Sequence, residues 1–385
     1  MRRLVLSGSV LSLFTAACGD GPAGPAASTW QGLFDIPGDY VKAYALTSDQ
    51  ALYTTGATGS VWVAVEDTNG GAALLRYAEN DVKAVFSSPS QAVFEDVRAV
   101  NGAGVFAVGN KDAGAGPEPY AVFIDDETLE AEELTLPALP GRSISAVYWA
   151  RYNTPLTVWL LLSDHDEEYY GVHAGVPVIR EEDGAIRTFE DLGAVTAAVN
   201  DDGRFYGVEY AGEGVDPKLA PLGPGYQGRG ELYITDDLGR SWQTELLPAT
   251  INGRAVHNAT ALAADNRSLY LKVRFEDGAV AIVRRYGTPG SPSYELAFLS
   301  YPAPYFLDLA AYAVADSYTN PNTGILSAAV GVGDMTTVVF DDGQWTLEAV
   351  PYPINFTDVR PALTSGFVAL GYDTTFGGWR VLYHP

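Results

Sequence analysis

Thr29-Trp30-Gln31-Gly32-Leu33-Phe34-Asp35-Ile36-Pro37 reads as a short strand that carries aromatic side chains and runs out into proline. The phrase returns at a pitch of about 50 residues, at 82–89, 129–137, 241–248, 294–302 and 345–351. A weaker copy at 186–192 ends in glycine. Seven copies at a near-constant pitch imply seven copies of one supersecondary unit.

The stretches between copies also read as strands. In the second repeat these are residues 96–100, 105–109, 120–124 and 129–136. The first two are runs of small and β-branched residues, as expected of inner strands buried on both faces, and the last is more polar, as an edge should be. The fourth repeat opens at 195–199 and resumes at 204–208. The fifth offers 259–263, 269–275 and 280–286. Residues 40–80 leave the number of strands in the first repeat open. Short strands at this period predict an all-β, seven-bladed β-propeller over residues 29–385. Its final repeat holds strands at 357–363, 367–372 and 379–384 and then stops one strand short. The missing piece has the form of Trp30 to Pro37 at the other end, so the N-terminal strand is expected to close the last blade and remove an open sheet edge. Plentiful Gly (41), Tyr (23) and Pro (23) fit short strands joined by many turns.

Arg2 and Arg3 precede an apolar stretch at 4–14, too short to cross a bilayer, and Ala16-Ala17 precede Cys18, the one cysteine of the chain. This segment resembles the signal peptide of a bacterial lipoprotein, with Thr15 where that family usually has Leu. The resemblance implies removal of residues 1–17 and lipidation at Cys18. It also implies an anchor in the cell envelope, at the outer membrane if the cell is Gram-negative, because Gly19 replaces the Asp used for inner-membrane retention. The alternative is an ordinary secretory signal and a secreted protein. Residues 18–28 read as a flexible tether. A lone cysteine forms no intramolecular disulfide.

The net charge of −25 becomes −27 once Arg2 and Arg3 are lost with residues 1–17, which carry no acid. That charge excludes nucleic acid and anionic membrane surfaces as partners. Many of the acids stand in Asp-Gly turns, such as Asp202-Gly203 and Asp342-Gly343, where turn chemistry explains them.

Thr235-Asp236-Asp237-Leu238-Gly239-Arg240-Ser241-Trp242 fits the pattern S/T-x-D-x-G-x-S/T-W. It resembles the Asp-box, or BNR repeat, of sialidases, sortilin-type receptors and photosystem assembly factors. The resemblance implies a hairpin between third and fourth strands. Thr235, Asp237, Gly239, Ser241 and Trp242 then have structural roles: Asp237 accepts from the turn backbone, Gly239 takes a positive φ and Trp242 packs between blades. In those families the motif lies away from the catalytic face. Degenerate relatives occur at 340–345 and 182–189.

Chemistry is less marked. A sialidase of this type needs three arginines, a Tyr/Glu pair, an acid/base Asp and a Phe-Arg-Ile-Pro segment, and that segment is absent. Arg98, Arg142, Arg254 and Arg360 lie near strand starts, and Tyr148, Trp149, Tyr152, Trp159, Tyr169 and Tyr170 form the densest aromatic group. No metal site is expected. The one oxygen-rich stretch, at Asp164, Asp166 and Glu167 between His165 and His173, could hold Ca²⁺, and its plainer reading is a solvated loop. The Gly/Pro-rich insert at 212–230 is a long loop without a phosphate-binding fingerprint. The expectation is therefore a monomeric, non-enzymatic propeller lipoprotein that binds or scaffolds a protein or glycan. A carbohydrate-active enzyme and an outer-membrane assembly factor are the alternatives. No catalytic residue is assigned.

Overall fold

Runs such as Val61-Trp62-Val63-Ala64-Val65 and Val105-Phe106-Ala107-Val108 are buried at every position, so they are strands covered on both faces. The computed structural model describes residues 30–48, 60–100, 103–136 apart from 113 and 115, 139, 141–149, 157–164, 173–200, 203–210, 230–264, 268–300, 311–315, 328–333, 336–341, 344–350, 353–361 and 367–384. The expectations for residues 1–28 (Cys18 among them), for Asp166 and Glu167, and for the insert at 211–229 lie outside these residues.

All strand pairs are antiparallel, and the one helical element among the described residues is a 3-10 turn at Glu190–Leu192. In chain order, β1 is Gln31–Asp35. A seven-stranded sheet follows: β2 Tyr40–Ser48, β3 Val61–Asp67, β4 Gly71–Ala78, β5 Asp81–Val100, β6 Gly104–Asp112, β7 Pro117–Asp125 and β8 Ala131–Glu133. An eight-stranded sheet holds β9 Arg142–Trp149, β10 Val158–Asp164, β11 Ala174–Arg180, β12 Ile186–Thr188, β13 Val195–Val199, β14 Phe205–Glu209, β15 Glu231–Thr235 and β16 Gln243–Leu246. Then come five strands, β17 Thr250–Ile251, β18 Arg254–Ala264, β19 Ser268–Phe275, β20 Val280–Tyr286 and β21 Ser293–Ser300. Four more follow, β22 Ala311–Ala315, β23 Ala328–Gly333, β24 Thr336–Asp341 and β25 Gln344–Ala349. The last sheet is β26 Ile354–Pro361, β27 Phe367–Asp373 and β28 Gly378–His384, completed by β1 in the order β1-β28-β27-β26.

The chain thus closes on itself. Gln31 pairs with Tyr383 and Asp35 with Arg380 across β1 and β28. Trp30, 3% exposed, sits in a cluster with Ile354, Phe356, Phe367 and Leu382. Its ring meets Phe356 at 5.9 Å and His384 edge-on at 5.1 Å, and His384 Nε2 lies 3.1 Å from Glu348 on β25. No covalent bond holds this seam; strand pairing and apolar burial do.

The core lies between sheets. One cluster packs Val368, Leu370 and Val381 of the last sheet against Leu46, Val63 and Leu75 of the first large one. Another joins Val208, Leu232 and Leu247 to Leu269, Leu271 and Phe275. The first strand of each group lies against the next: β2 on β5, β5 on β9, β9 on β13, β13 on β18, β18 on β22, β22 on β26, and β26 on β2. A ring of strands surrounds the centre.

Two details differ from the expected strands. The outer strand of the second repeat is only Ala131–Glu133, because Leu129 turns back at φ +59° and its N–H donates to the Asp125 carbonyl at 2.9 Å. β5 runs unbroken from the outer strand of one repeat into the inner strand of the next. Residues 40–80 resolve into β2, β3 and β4 among the described residues.

Candidate functional site

Five strands of the inner ring share an irregularity. β2, β5, β9, β18 and β26 each hold an extra residue against their partner, at Tyr44, Glu95, Ser145, Leu262 and Thr357. A bulge turns the following side chains and tightens the twist. It also gives a common register, in which Asp96 on β5 and Asp358 on β26 take the position just after the bulge. Three positions after it stand Thr47, Arg98, Tyr148 and Arg360.

Side chains of the inner strands, three of them from this register, clasp neighbouring strands. Leu46 N–H on β2 donates to Asp358 Oδ2 at 3.0 Å, and Val147 N–H on β9 donates to Asp96 Oδ2 at 3.0 Å. Ala99 N–H donates to Thr47 Oγ1 at 3.1 Å, and Ala261 N–H on β18 to Thr196 Oγ1 at 2.8 Å. Innermost strands have one edge without a sheet partner, and these acceptors satisfy part of it.

The two aspartates gather arginines. Arg360 reaches past β2, where Nη2 donates to Asp96 Oδ1 at 3.1 Å and Nε lies 3.4 Å from Asp358 Oδ2. The remaining oxygens are also engaged: Val97 N–H donates to Asp96 Oδ1 and Val359 N–H to Asp358 Oδ1, both at 2.9 Å. Arg98 stands beside this group with its guanidinium over the Tyr148 ring, 5.5 Å from the centroid. Burial pushes the Asp358 carboxyl up, against the pull of Arg360 and the Leu46 N–H. Burial and the Arg360 charge hold Arg98 below its ordinary value. The Tyr148 phenol is pushed up to about 12, first by burial and then by Asp96, so it stays a neutral donor.

Thr235, Asp237, Gly239, Ser241 and Trp242 build a different, local structure in the β15–β16 hairpin. Thr235 Oγ1 donates to Asp237 Oδ1 at 2.8 Å and accepts from Gly239 N–H at 3.0 Å. Ser241 donates twice to Asp237, N–H to Oδ1 at 2.9 Å and Oγ to Oδ2 at 2.6 Å. These bonds lower the Asp237 carboxyl to about 2. Gly239 has φ +75°, and a Cβ there would lie 2.4 Å from Phe189 Cζ. Trp242 packs edge-on against Phe189 at 5.2 Å and near Phe205 and Trp159, which joins the hairpin to the β9–β12 group. Arg187 Nη2 donates to the Leu238 carbonyl at 2.7 Å.

Of the four arginines near strand starts, the fold brings Arg98 and Arg360 together and sends the others elsewhere. Arg142 opens β9, and Arg254 pairs with Asp277 at a hairpin end. Trp159 is fully buried in the aromatic cluster, whereas Tyr152, Tyr169 and Tyr170 lie outside the described residues. Asp164 ends β10. Among the described residues, no three His, Cys, Asp or Glu side chains converge as a metal site would require. Nothing in the local sequence groups Asp96, Asp358 and Tyr148 as one site. The visible signal was the tripeptide Asp-Val-Arg, present at 96–98 and again at 358–360.

No family model matches the chain, and no curated protein matches it in sequence. Among solved structures it is similar to YCF48 bound to D1 peptide, with TM-score 0.53 and 13% identity over 94% of this chain and 96% of that one. It is also similar to a chain of a mitotic checkpoint complex, with TM-score 0.52 and 11% identity over 95% of each. A third likeness is to a prolyl endopeptidase, with TM-score 0.52 and 13% identity over 90% of this chain, which spans 47% of the enzyme. At these identities the likeness concerns the fold, and the fold is a β-propeller.

Proposed function

We propose that the protein is a seven-bladed propeller of the Asp-box type, held to the cell envelope through lipidated Cys18, that binds a protein or glycan ligand without transforming it. The blade count is supported by the inner ring of β2, β5, β9, β13, β18, β22 and β26, each of which opens one group of strands. The Asp-box reading is supported by the mutual hydrogen bonds of Thr235, Asp237, Gly239 and Ser241. Residues 29–385 then form one domain behind the tether at 18–28.

The observation that carries binding over catalysis is the state of the two central carboxylates. A general acid or base needs a free oxygen facing the reacting atom. Every oxygen of Asp96 and Asp358 already accepts from a backbone N–H, and Arg360 lies against both groups. Propellers of similar fold are seen with a peptide and within a multiprotein complex, which supports a protein ligand.

The test exposes the purified full chain to arrayed glycans and envelope-derived peptides and follows each bound ligand by mass spectrometry. We expect saturable retention of an intact ligand. Recovery of cleaved or transferred product would overturn the non-enzymatic reading. In parallel, metabolic labelling with a fatty acid should mark the wild type and leave Cys18→Ser unlabelled.

A further inference from the structure

Each step round the ring from one group of strands to the next is filled by an apolar cluster, with one exception. Among the described residues no such cluster joins the β17–β21 group to β22–β25, although β18 lies against β22. The face of β19 turned that way is basic. Leu269, Leu271, Val273 and Phe275 point back into the cluster shared with β14 and β15. Strand alternation therefore sends Lys272 and Arg274 to the opposite face, toward β22–β25. Both side chains are half-buried. Directly across the sheet Lys272 meets Thr260 and Ile282, and Arg274 meets Asn258 and Val280, none of which carries charge. The second strands of the other groups differ: β3, β10, β14, β23 and β27 hold no Lys or Arg, and β6 holds one, near its end. The opposite charge stands across the junction. Residues 254–300 hold six Lys or Arg against four acids, whereas residues 301–351 hold six acids and no Lys, Arg or His.

We propose that the junction between β17–β21 and β22–β25 is closed by charge, through Lys272 and Arg274, and is the point at which the ring loosens as salt rises. This goes beyond the binding function proposed above and does not rest on it. A basic side chain drawn partly out of water is costly unless opposite charge compensates it, and the acidic stretch at 301–351 supplies that charge. Ionic closure is screened by salt, because the Debye length falls from about 10 Å at 0.1 M to about 3 Å at 1 M. Apolar burial has no such screening. Salt therefore acts unevenly round the ring. It weakens this junction and leaves the terminal seam of β1 and β28, packed around Trp30, closed. Ionic strength then sets how much of the time the ring is open, and the opening lies between the fifth and sixth groups of strands, away from the chain ends.

Amide hydrogen exchange of the full chain, read peptide by peptide by mass spectrometry, tests this. Raising NaCl from about 0.1 M to about 1 M should speed exchange in β19 and β22 by at least about threefold and leave β6, β10 and β27 unchanged. Sucrose, which strengthens burial everywhere, should slow exchange in all groups alike. Lys272→Met combined with Arg274→Met keeps the length of the side chains and removes the charge, so it should erase the salt response of β19 and β22. Glu348 of β25 also meets His384 across the other junction of the same sheet, and a response that came from there would appear in β26 and β28 instead. A uniform response, no response, a response centred on β26 and β28, or one that persists in the double variant would overturn the proposal. The wild-type exchange map decides this even if the variant fails to fold.

Discussion

Between β26, β2, β5 and β9 the inner ring is clasped by Asp358, Thr47 and Asp96 and carries Arg360 and Arg98; between β13 and β18 the same clasp is one Thr196 hydroxyl. Thr47 shows that a hydroxyl suffices even in the charged arc. Holding strands together therefore does not require aspartate, and burying aspartates with arginines is a weak route to stability. Among the described residues the contact between β13 and β18 uses no charged group, so the charge between β26 and β9 exceeds what holding the strands requires.

The largest expected effect comes from breaking the charged arc at its origin. β26 is held in place by β27, β28 and β1, so deletion of residues 29–37 removes Trp30 from its cluster and leaves β28 with an open edge. Loss of a buried Trp side chain alone costs about 3–5 kcal/mol, and an open edge invites pairing between chains. Size-exclusion chromatography should find aggregate. A soluble monomer that still unfolds cooperatively in urea would show that the seam is dispensable.

Next comes a direct contrast of the two arcs. Asp96→Ala deprives the Val147 N–H of its acceptor and leaves Arg360 short of a buried partner, a loss of about 3–5 kcal/mol. Thr196→Val removes one acceptor from the Ala261 N–H and should cost about 1–3 kcal/mol. Urea denaturation of both variants measures the difference. Equal losses would mean that the charged arc is no more than a heavier clasp.

This contrast also marks what could be read from the chain. The strands were legible from local patterning, because Val105 to Val108 and Val61 to Val65 are runs that only a doubly covered strand accommodates. The pairing of Trp30's segment with the C-terminal strands was legible because one repeat lacked a strand and the other terminus had one to spare. The turn at Thr235 to Trp242 was legible because its contacts span only a few residues. The charged arc was not: Asp96 and Arg360 lie 264 residues apart, and only ring closure brings them to 3.1 Å. Nothing local distinguishes Arg98 and Arg360 from Arg142 and Arg254, which also stand near strand starts and end up elsewhere. The repeated Asp-Val-Arg had meaning only once both copies were known to face one centre.

The smallest effect sets an inner-ring carboxylate, Asp358, against one in an outer hairpin, Asp237, by pH. Asp237, in the hairpin beyond β13 and β14, is lowered to about 2 by the Ser241 hydroxyl and N–H. A group bound more weakly to its proton in the folded state contributes stability above its ordinary value, near 4, and loses it as pH falls toward about 2. Asp358 is shifted upward by burial and by Asp96, with Arg360, the Leu46 N–H and His173 opposing. Its contribution has the reverse sign, present at low pH and lost as pH rises through its folded value. Asp237→Asn should therefore flatten the acid side of the stability curve, whereas Asp358→Asn should flatten the decline on the other side. Asp237 is partly exposed and screened, so its part is the more modest of the two. Urea midpoints measured across this range test both signs. If Asp237→Asn runs parallel to wild type through the acid window, its hydrogen bonds to Ser241 hold the turn's shape and contribute nothing to net stability.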